Sequence, residues 1–468
     1  MKLESSWFWK AGLALWLSVI FTLYLAPTPE KYRVADGLVM LLLVPALVAY
    51  RTQLRKLLEG VKPLLPLLVL IVYVALQTWL LDQSGEAGWH YAQELLYGLV
   101  PYALFYLIFL HLSREHLNGM LVVLLILPGL VHIAYLYLDI FLSVRRDEIE
   151  FLTSAKQGLM EYVKNAPRVG RRYLSVALLH LLGGGLLLAW YTKSAPLRYT
   201  AWSLAGVSML SLALLDARAA YASMAIGALL FAWAIGRRET WHAVKRFLRW
   251  HPLWKLALVV FVIAVCSLGY SAGKSRWVAM SYSFDWAAND VLHAQAPLSK
   301  RPYVDMEFWN APIENVHECY LSGQFRCRAD QSAYLRMAWL LEGAESLVKH
   351  PFGIGYSPDY MGRLWGVEGD KTKFQRIDSF LVEHVVSFGW PAILLYGWFF
   401  WLVVASIRGV LRAGHGSVAM FVAGAIVLAC AGRMLVDVFS EGLWRYLMAM
   451  MGICYGLLHA SVSQARRV

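Results

Sequence analysis

The amino-acid sequence predicts an all-α polytopic membrane protein with about twelve transmembrane helices and one large loop between helices nine and ten. Of its 468 residues, 59% are hydrophobic and only 16% are charged, and the mean hydropathy is +0.51. Apolar runs of roughly 18 residues or more, the length that crosses a hydrocarbon core, recur along the chain. The segment 271–378 has no such run and is rich in Trp, Tyr, Arg and Asp. We therefore expect helices one to nine in 1–270, the loop in 271–378 and helices ten to twelve in 379–468.

The individual helices follow the apolar runs. In chain order, the predicted spans are 7–26, 35–50, 63–81, 91–111, 117–142, 173–191, 198–215, 218–236, 252–270, 379–407, 417–436 and 441–460. The first span has no small-residue cleavage site and is predicted to be a retained helix rather than a signal peptide. The second is short, and it is interpreted as a tilted or partly interfacial helix.

Lysine and arginine residues set the predicted orientation. They gather after spans two, eight and ten and at the end of the chain, as in cytoplasmic loops. This distribution predicts cytoplasmic termini and a periplasmic 271–378 loop in a bacterial inner (cytoplasmic) membrane. The net charge of +12 has the same origin, so no nucleic-acid partner is expected. The basic segment 145–172 falls on the outer side, where Phe151 to Val163 is interpreted as an amphipathic helix on anionic membrane lipids.

The large loop has internal order. Asp330 to His350 shows helical periodicity and should end before Pro351, because proline disfavours helix in the residue that precedes it. A segment punctuated by Gly and Pro follows, PFGIGYSPDYMGRLWG. Cys319 and Cys327 also lie in the loop, and an oxidising compartment permits either a disulfide or two free thiols there.

Arginine residues are the first candidates for a functional site. Arg218 follows Asp216 at the outer start of the eighth span, among small alanines, and a guanidinium offers phosphate a planar fork of donors. The alternative is an arginine that extends to the membrane surface. Arg336 lies on the predicted loop helix, where the alternative is a solvated helix face. Arg363 lies in the segment punctuated by Gly and Pro. Lys371, Lys373 and Arg376 follow it just before the tenth span and form a cationic group near the membrane that suits an anionic lipid head group.

The start of the tenth span carries the candidate general base. Asp378 can cap the helix, and His384, next to Glu383, is suited to proton transfer near neutral pH. The alternative for His384 is a packed side chain bonded to a backbone carbonyl. The sequence contains no Gly-rich phosphate loop followed by Lys-Ser/Thr, no HExxH and no DxD-like pair. We therefore expect neither metal nor cofactor, and phosphate charge would be met by arginine.

Three patches together resemble one family, the bacterial O-antigen ligases with the related O-antigen polymerases and protein O-oligosaccharyltransferases. The first is DARAAYA, with Arg218 and Tyr221, which is similar to the family's Ser-Arg-Gly/Ala run. The second is Arg336, Trp339 and HPFGIGY, which resembles Arg…Trp…His-Pro-φ-φ-Gly-φ-Gly. The third is Asp378-Ser379-x9-Gly389, where the family has His-Asn/Ser-x9-Gly. The family's histidine is thus an aspartate here, and His384 is the nearest histidine.

The resemblance implies a GT-C-like membrane glycosyltransferase. The donor would be a polysaccharide on undecaprenyl pyrophosphate, and the acceptor a sugar hydroxyl of lipid A–core in lipopolysaccharide biosynthesis. Arg218 and Arg336 would stabilise the pyrophosphate, and His384 or Asp378 would take the hydroxyl proton. Arg363, Lys373 and Arg376 would hold acceptor or donor phosphates, and Tyr221 would bind substrate with them. A polymerase or a protein O-oligosaccharyltransferase would use the same donor, and a lipid-linked glycan transporter is the alternative from another class.

Overall fold

A computed structural model describes residues 7–26, 29–49, 59–81, 85–111, 114–145, 171–214, 218–236, 278–289, 291–292, 331–356, 379–412, 418–436 and 441–465, with three isolated helical positions (256, 263 and 267) and the adjacent pair 259–260. Within these ranges the regular structure is helical, and they contain no strand. The helices are α1 (Trp7–Tyr24), α2 (Pro29–Ala49), α3 (Leu65–Leu81), α4 (Gly85–Tyr97), α5 (Leu99–His111), α6 (Arg114–Arg145), α7 (Arg171–Tyr191), α8 (Ala195–Leu214), α9 (Arg218–Ile235), α10 (Gln331–Lys349), α11 (Phe380–Phe388), α12 (Trp390–Arg412), α13 (Val418–Val436) and α14 (Glu441–Ala465).

Several helical segments have membrane dimensions, in agreement with the predicted all-α membrane protein. Among the described residues, five are long and apolar enough to cross a bilayer: Glu59–Leu80, Glu86–His111, Gly119–Leu138, Leu174–Tyr191 and Trp390–Gly409. Large apolar side chains cover the outside of the bundle; Trp79 is 70% exposed and Leu229 is 72% exposed. Such a surface is costly in water and ordinary against lipid. The count of twelve spans stays a prediction.

Two predicted spans are each divided into two helices. The span 91–111 breaks at Gly98, between α4 and α5. The span 379–407 breaks at Gly389, which has φ +65° and separates α11 from α12. The single tenth helix was therefore a wrong prediction, because the apolar run continues across a residue whose backbone leaves the helical region. Gly389 is followed by Trp390 and Pro391, and a proline in the first turn is compatible with a new helix start.

The bundle is built around α14, which is buried over most of its length. Gly452 and Gly456 face α5, and a Cβ atom on Gly452 would lie 2.4 Å from the carbonyl oxygen of Tyr102. A second close approach joins α9 to α13, where a Cβ atom on Gly227 would lie 2.7 Å from the Cα atom of Ala429. Small residues let helices in a membrane gain dispersion energy through close backbone contact. This packing fixes the positions of the helix ends that carry polar groups.

We call one end of this bundle the upper end: α1 ends there, and α2, α4 and α14 begin there. The loop helix α10 lies at the upper end against α11, with Tyr334, Leu335 and Trp339 buried against Val382 and Val386. The predicted loop helix, Asp330 to His350, is confirmed as Gln331–Lys349. It ends where predicted, directly before the His350-Pro351 pair.

Candidate functional site

The turn after α10 is bonded to the break between α11 and α12. Backbone hydrogen bonds run from Ile354 N to Val386 O (3.0 Å), from Gly355 N to Ser387 O (3.0 Å) and from Trp390 N to Pro351 O (2.9 Å). We call the two segments 350–356 and 386–390 the junction. Backbone groups of both segments make these bonds, so the junction fixes the position of α10 relative to α11.

Two glycines make the junction sterically possible. Gly353 has φ +79°, and a Cβ atom there would lie 2.2 Å from the carbonyl oxygen of Ser387. Gly389 has φ +65°, and its Cβ would lie 2.1 Å from the carbonyl oxygen of Pro351. Positive φ is open to glycine at little cost, and real Cβ atoms do not approach a carbonyl oxygen so closely. This contact gives a physical reason for the glycines in HPFGIGY and in the x9-Gly389 pattern.

Helix α3 supports the junction from the bundle side. The Tyr73 hydroxyl donates to the Phe352 carbonyl oxygen at 2.7 Å. The Gln77 amide nitrogen donates to the same oxygen at 2.7 Å and to the Ser387 carbonyl oxygen at 3.1 Å. Carbonyls that lack a helical partner accept hydrogen bonds from other groups, and these two side chains supply such donors where the helical pattern is interrupted.

His384 is packed inside α11 and is 1% exposed. Its Nδ1 atom lies 2.6 Å from the Phe380 carbonyl oxygen. Since a carbonyl only accepts, Nδ1 carries the proton, and in the neutral ring Nε2 is left to accept from the Tyr91 hydroxyl, with which it is in contact. The geometry matches the alternative of a packed histidine bonded to a backbone carbonyl, and its role as a base stays a prediction. Its Nε2 atom would exchange protons through Tyr91, which stacks on Tyr356 with ring centroids 4.4 Å apart.

The start of α11 differs in detail from the prediction. Ser379, rather than Asp378, occupies the N-cap, and its hydroxyl accepts from the Val382 amide at 3.5 Å. Asp378 itself lies outside the described residues, as do Arg363, Lys373 and Arg376. The same is true of Cys319, Cys327 and the segment from Phe151 to Val163.

The two predicted arginines are positioned by different helices. Arg336 is half-buried on α10, whose apolar face packs on α11, so this helix is not a freely solvated one. Arg218 is the first residue of α9, and Tyr221 lies one turn further along it. The side chains of Arg218 and Tyr221 lie outside the described part of the structure. The structure thus brings together the helices of Arg336 and His384 and leaves the predicted place of Arg218 untested.

Sequence reasoning missed a buried ion cluster at the upper end. Arg445 on α14 is 2% exposed. Its Nε atom donates to Asp36 Oδ2 at 2.8 Å, and its Nη2 atom forms an ion pair with Glu94 Oε2 at 2.7 Å. The rings of Tyr32 and Tyr97 flank the guanidinium, with centroids 4.9 and 5.9 Å from its carbon. Charged residues inside apolar helices were the available signal, but nothing in the sequence pairs Asp36 with Arg445.

A second buried guanidinium lies in the same bundle. Arg433 on α13 is 2% exposed, and its Nη1 atom donates to the Ser175 hydroxyl on α7 at 2.5 Å. Arg433 stands three residues before the end of its helix. Together with Arg445, it shows that cationic groups inside the described bundle are held by side chains from other helices.

The ion cluster and the His384 site adjoin each other. Trp444 stacks on Phe380, with ring centroids 6.4 Å apart and planes 16° apart. Helix α4 spans both places, because it carries Tyr91 to His384 and Glu94 to Arg445. A continuous row of aromatic and polar side chains therefore runs from the junction to Arg445 along the upper end.

The fold and the site define an α-helical protein with membrane-length apolar helices and a row of buried polar groups at the upper end of the described bundle. In sequence comparison, no family model and no curated protein matches this chain.

Proposed function

We propose that the protein is a membrane-integral glycosyltransferase with a GT-C-like, twelve-span arrangement, and specifically an O-antigen ligase. It transfers a polysaccharide from undecaprenyl pyrophosphate to a sugar hydroxyl of lipid A–core. The observation that carries the proposal is the junction. Two patches of the family resemblance, HPFGIGY and Ser379-x9-Gly389, are separated in sequence and bonded to each other through their backbones.

In the proposed reaction, the acceptor hydroxyl oxygen attacks the anomeric carbon of the donor glycan. A new glycosidic bond forms, the bond from carbon to the pyrophosphate oxygen breaks, and pyrophosphate leaves with its electron pair. Arg336 and Arg218 stabilise the charge that develops on the leaving group, because guanidinium–phosphate bonds strengthen as that charge grows. Arg363, Lys373 and Arg376, with Tyr221, hold the substrates.

The acceptor proton goes to a base at the start of the tenth span. In the route through His384, the Tyr91 hydroxyl takes the substrate proton as it gives its own proton to Nε2, since that nitrogen already faces Tyr91. The Asp378 carboxylate is the alternative base. Both substrates have lipid tails, so a site at the end of a membrane bundle suits them, and in the predicted orientation this end faces the periplasm.

The test is a transfer assay on the purified protein with lipid-linked glycan as donor. Lipid A–core, a second lipid-linked glycan and a Ser-containing peptide compete as acceptors. Glycan on lipid A–core supports the ligase; glycan on the other acceptors supports the polymerase or the protein O-oligosaccharyltransferase. Movement of the donor across liposomes without a new glycosidic bond contradicts all three. Transfer is expected to persist in EDTA, because the proposed reaction uses arginine rather than a metal ion.

The matched variants are Arg336→Ala and Lys349→Ala, both on α10. Lys349 is exposed and pairs only with its helical neighbour Glu345 among the contacts described, at 2.5 Å, so its loss should leave transfer unchanged. Arg336→Ala is expected to reduce turnover about 100-fold or more, the range typical of a lost charge-stabilising donor. Equal activity of the two variants would remove Arg336 from the mechanism.

A further inference from the structure

Three side chains converge next to Arg445, and one of them, Glu94, is its ion-pair partner. His90 and Glu94 stand one turn apart on α4, and Glu441 is the first residue of α14. One donor atom from each of the three lies within 4.8 Å of the others. We propose that these residues bind a divalent transition-metal ion, with Zn²⁺ the closest chemical match. The proposal is independent of the transfer reaction.

The charges of the cluster favour a bound cation. Asp36, Glu94 and Glu441 supply three carboxylates, and Arg445 is the one guanidinium bonded to this group among the described residues. The Asp36 and Glu94 side chains are only 26% and 13% exposed. Uncompensated carboxylate charge in such surroundings is expensive, and a dication balances it.

The two carboxylates are already oriented as metal ligands usually are. Arg445 Nη2 holds Glu94 Oε2 at 2.7 Å, and the Tyr32 hydroxyl donates to Glu441 Oε2 at 2.6 Å. Each carboxylate therefore has one oxygen engaged, that of Glu94 by an ion pair and that of Glu441 by a hydrogen bond, and these contacts leave its second oxygen for an ion. Such outer-shell bonds raise metal affinity.

A buried donor beside the cluster supplies an independent observation. The Nη1 atom of Arg445 is buried and has no hydrogen-bond partner within the described part of the chain. The guanidinium that carries this atom contacts Glu94, so it lies beside the proposed ion. An ion with three protein ligands keeps at least one position for water or a small anion. An oxygen there would give Nη1 the acceptor that it lacks.

The ligand types select the metal. One imidazole nitrogen and two carboxylate oxygens suit Zn²⁺, whereas Mg²⁺ prefers oxygen ligands and retains its waters. In a tetrahedral Zn²⁺ site with bond lengths near 2.1 Å, the ligand atoms lie about 3.4 Å apart. Side-chain rotations that move these atoms by about 1 Å would therefore bring all three within bonding distance of one ion. His90 is exposed, which leaves the site open to an ion from solution.

The experiment measures metal binding by the purified full-length protein after treatment with EDTA. Titration calorimetry and metal analysis with Zn²⁺ are expected to give one tightly bound ion per chain, with Mg²⁺ binding at least about 100-fold more weakly. His90→Ala and Glu441→Gln should each weaken Zn²⁺ binding about 100-fold. Glu86→Gln, an exposed acid on the first turn of the same helix, should bind as the unchanged protein does.

A second readout separates this site from other zinc-binding groups. Zn²⁺ should raise the thermal unfolding midpoint of the unchanged protein and of Glu86→Gln, but not that of the two ligand variants. Because His90 is exposed, His90→Ala keeps the test valid even where Glu441→Gln fails to fold. Absence of tightly bound Zn²⁺ in the unchanged protein, or undiminished affinity in His90→Ala, would overturn the proposal. Loss of transfer activity alone would bear on the proposed function and not on this site.

Discussion

Replacing Gly389 by alanine tests whether the junction depends on its glycine backbone. The residue has φ +65° and ψ −149°, a conformation that costs a non-glycine residue about 1–3 kcal/mol. The added methyl group would also lie 2.1 Å from the Pro351 carbonyl oxygen. Backbone atoms cannot rotate away as a side chain does, so the 2.9 Å bond from Trp390 N to that oxygen is lost. That loss adds about 1 kcal/mol, and we expect a total destabilisation of about 3 kcal/mol.

The assay is reversible unfolding in mixed detergent micelles, followed by helical circular dichroism. The matched control is Gly397→Ala on α12, where a Cβ atom would have no neighbour within 4 Å. Alanine there should leave stability unchanged or raise it by up to about 1 kcal/mol through helix propensity. If Gly389→Ala unfolds at the same detergent fraction as the control, the junction does not depend on this glycine and the steric reasoning is wrong.

Three further predictions concern buried polar groups. Arg445→Ala leaves the carboxylates of Asp36 and Glu94 without their cationic partner and should lower the free energy of unfolding, measured in the same micelles, by about 3–5 kcal/mol. A loss below about 1 kcal/mol would show that water already solvates these ion pairs. Gln77→Leu removes one of the donors from each of two junction carbonyls, while Phe352 O keeps the Tyr73 hydroxyl and Ser387 O keeps the Gly355 amide. Protease cleavage after α10 should accelerate in step with the loss of two hydrogen bonds, about 1–3 kcal/mol in total; an unchanged cleavage rate would contradict this. Tyr91→Phe keeps the aromatic ring and removes the Tyr91 hydroxyl that contacts His384, so the transfer rate should fall about 100-fold. An undiminished rate would rule out proton transfer through Tyr91.

The fold was predictable where local patterns decide it. The periodicity of α10 and the His350-Pro351 stop are properties of neighbouring residues, and the structure confirms both. The break at Gly389 was missed because hydropathy does not register backbone conformation. A Gly-Trp-Pro sequence inside an apolar run was the signal that indicated it.

The site was less predictable because its partners come from distant parts of the chain. His384 stands out in the sequence, yet its contact with Tyr91 spans 293 positions. The buried pair of Arg445 and Asp36 spans 409 positions. Sequence reasoning could mark each of these side chains as unusual in an apolar helix. Only tertiary packing determines which of them meet, and whether a charge is neutralised or solvated.

The ion cluster around Arg445 also constrains how this protein can evolve. An isolated substitution at position 36, 94 or 445 leaves a charge stranded among apolar helices, so drift at one of these sites is selected against until its counterpart changes as well. Among related sequences, these three positions should vary in concert, with opposite charges gained or lost together, while the lipid-facing residues beside them exchange freely among apolar types.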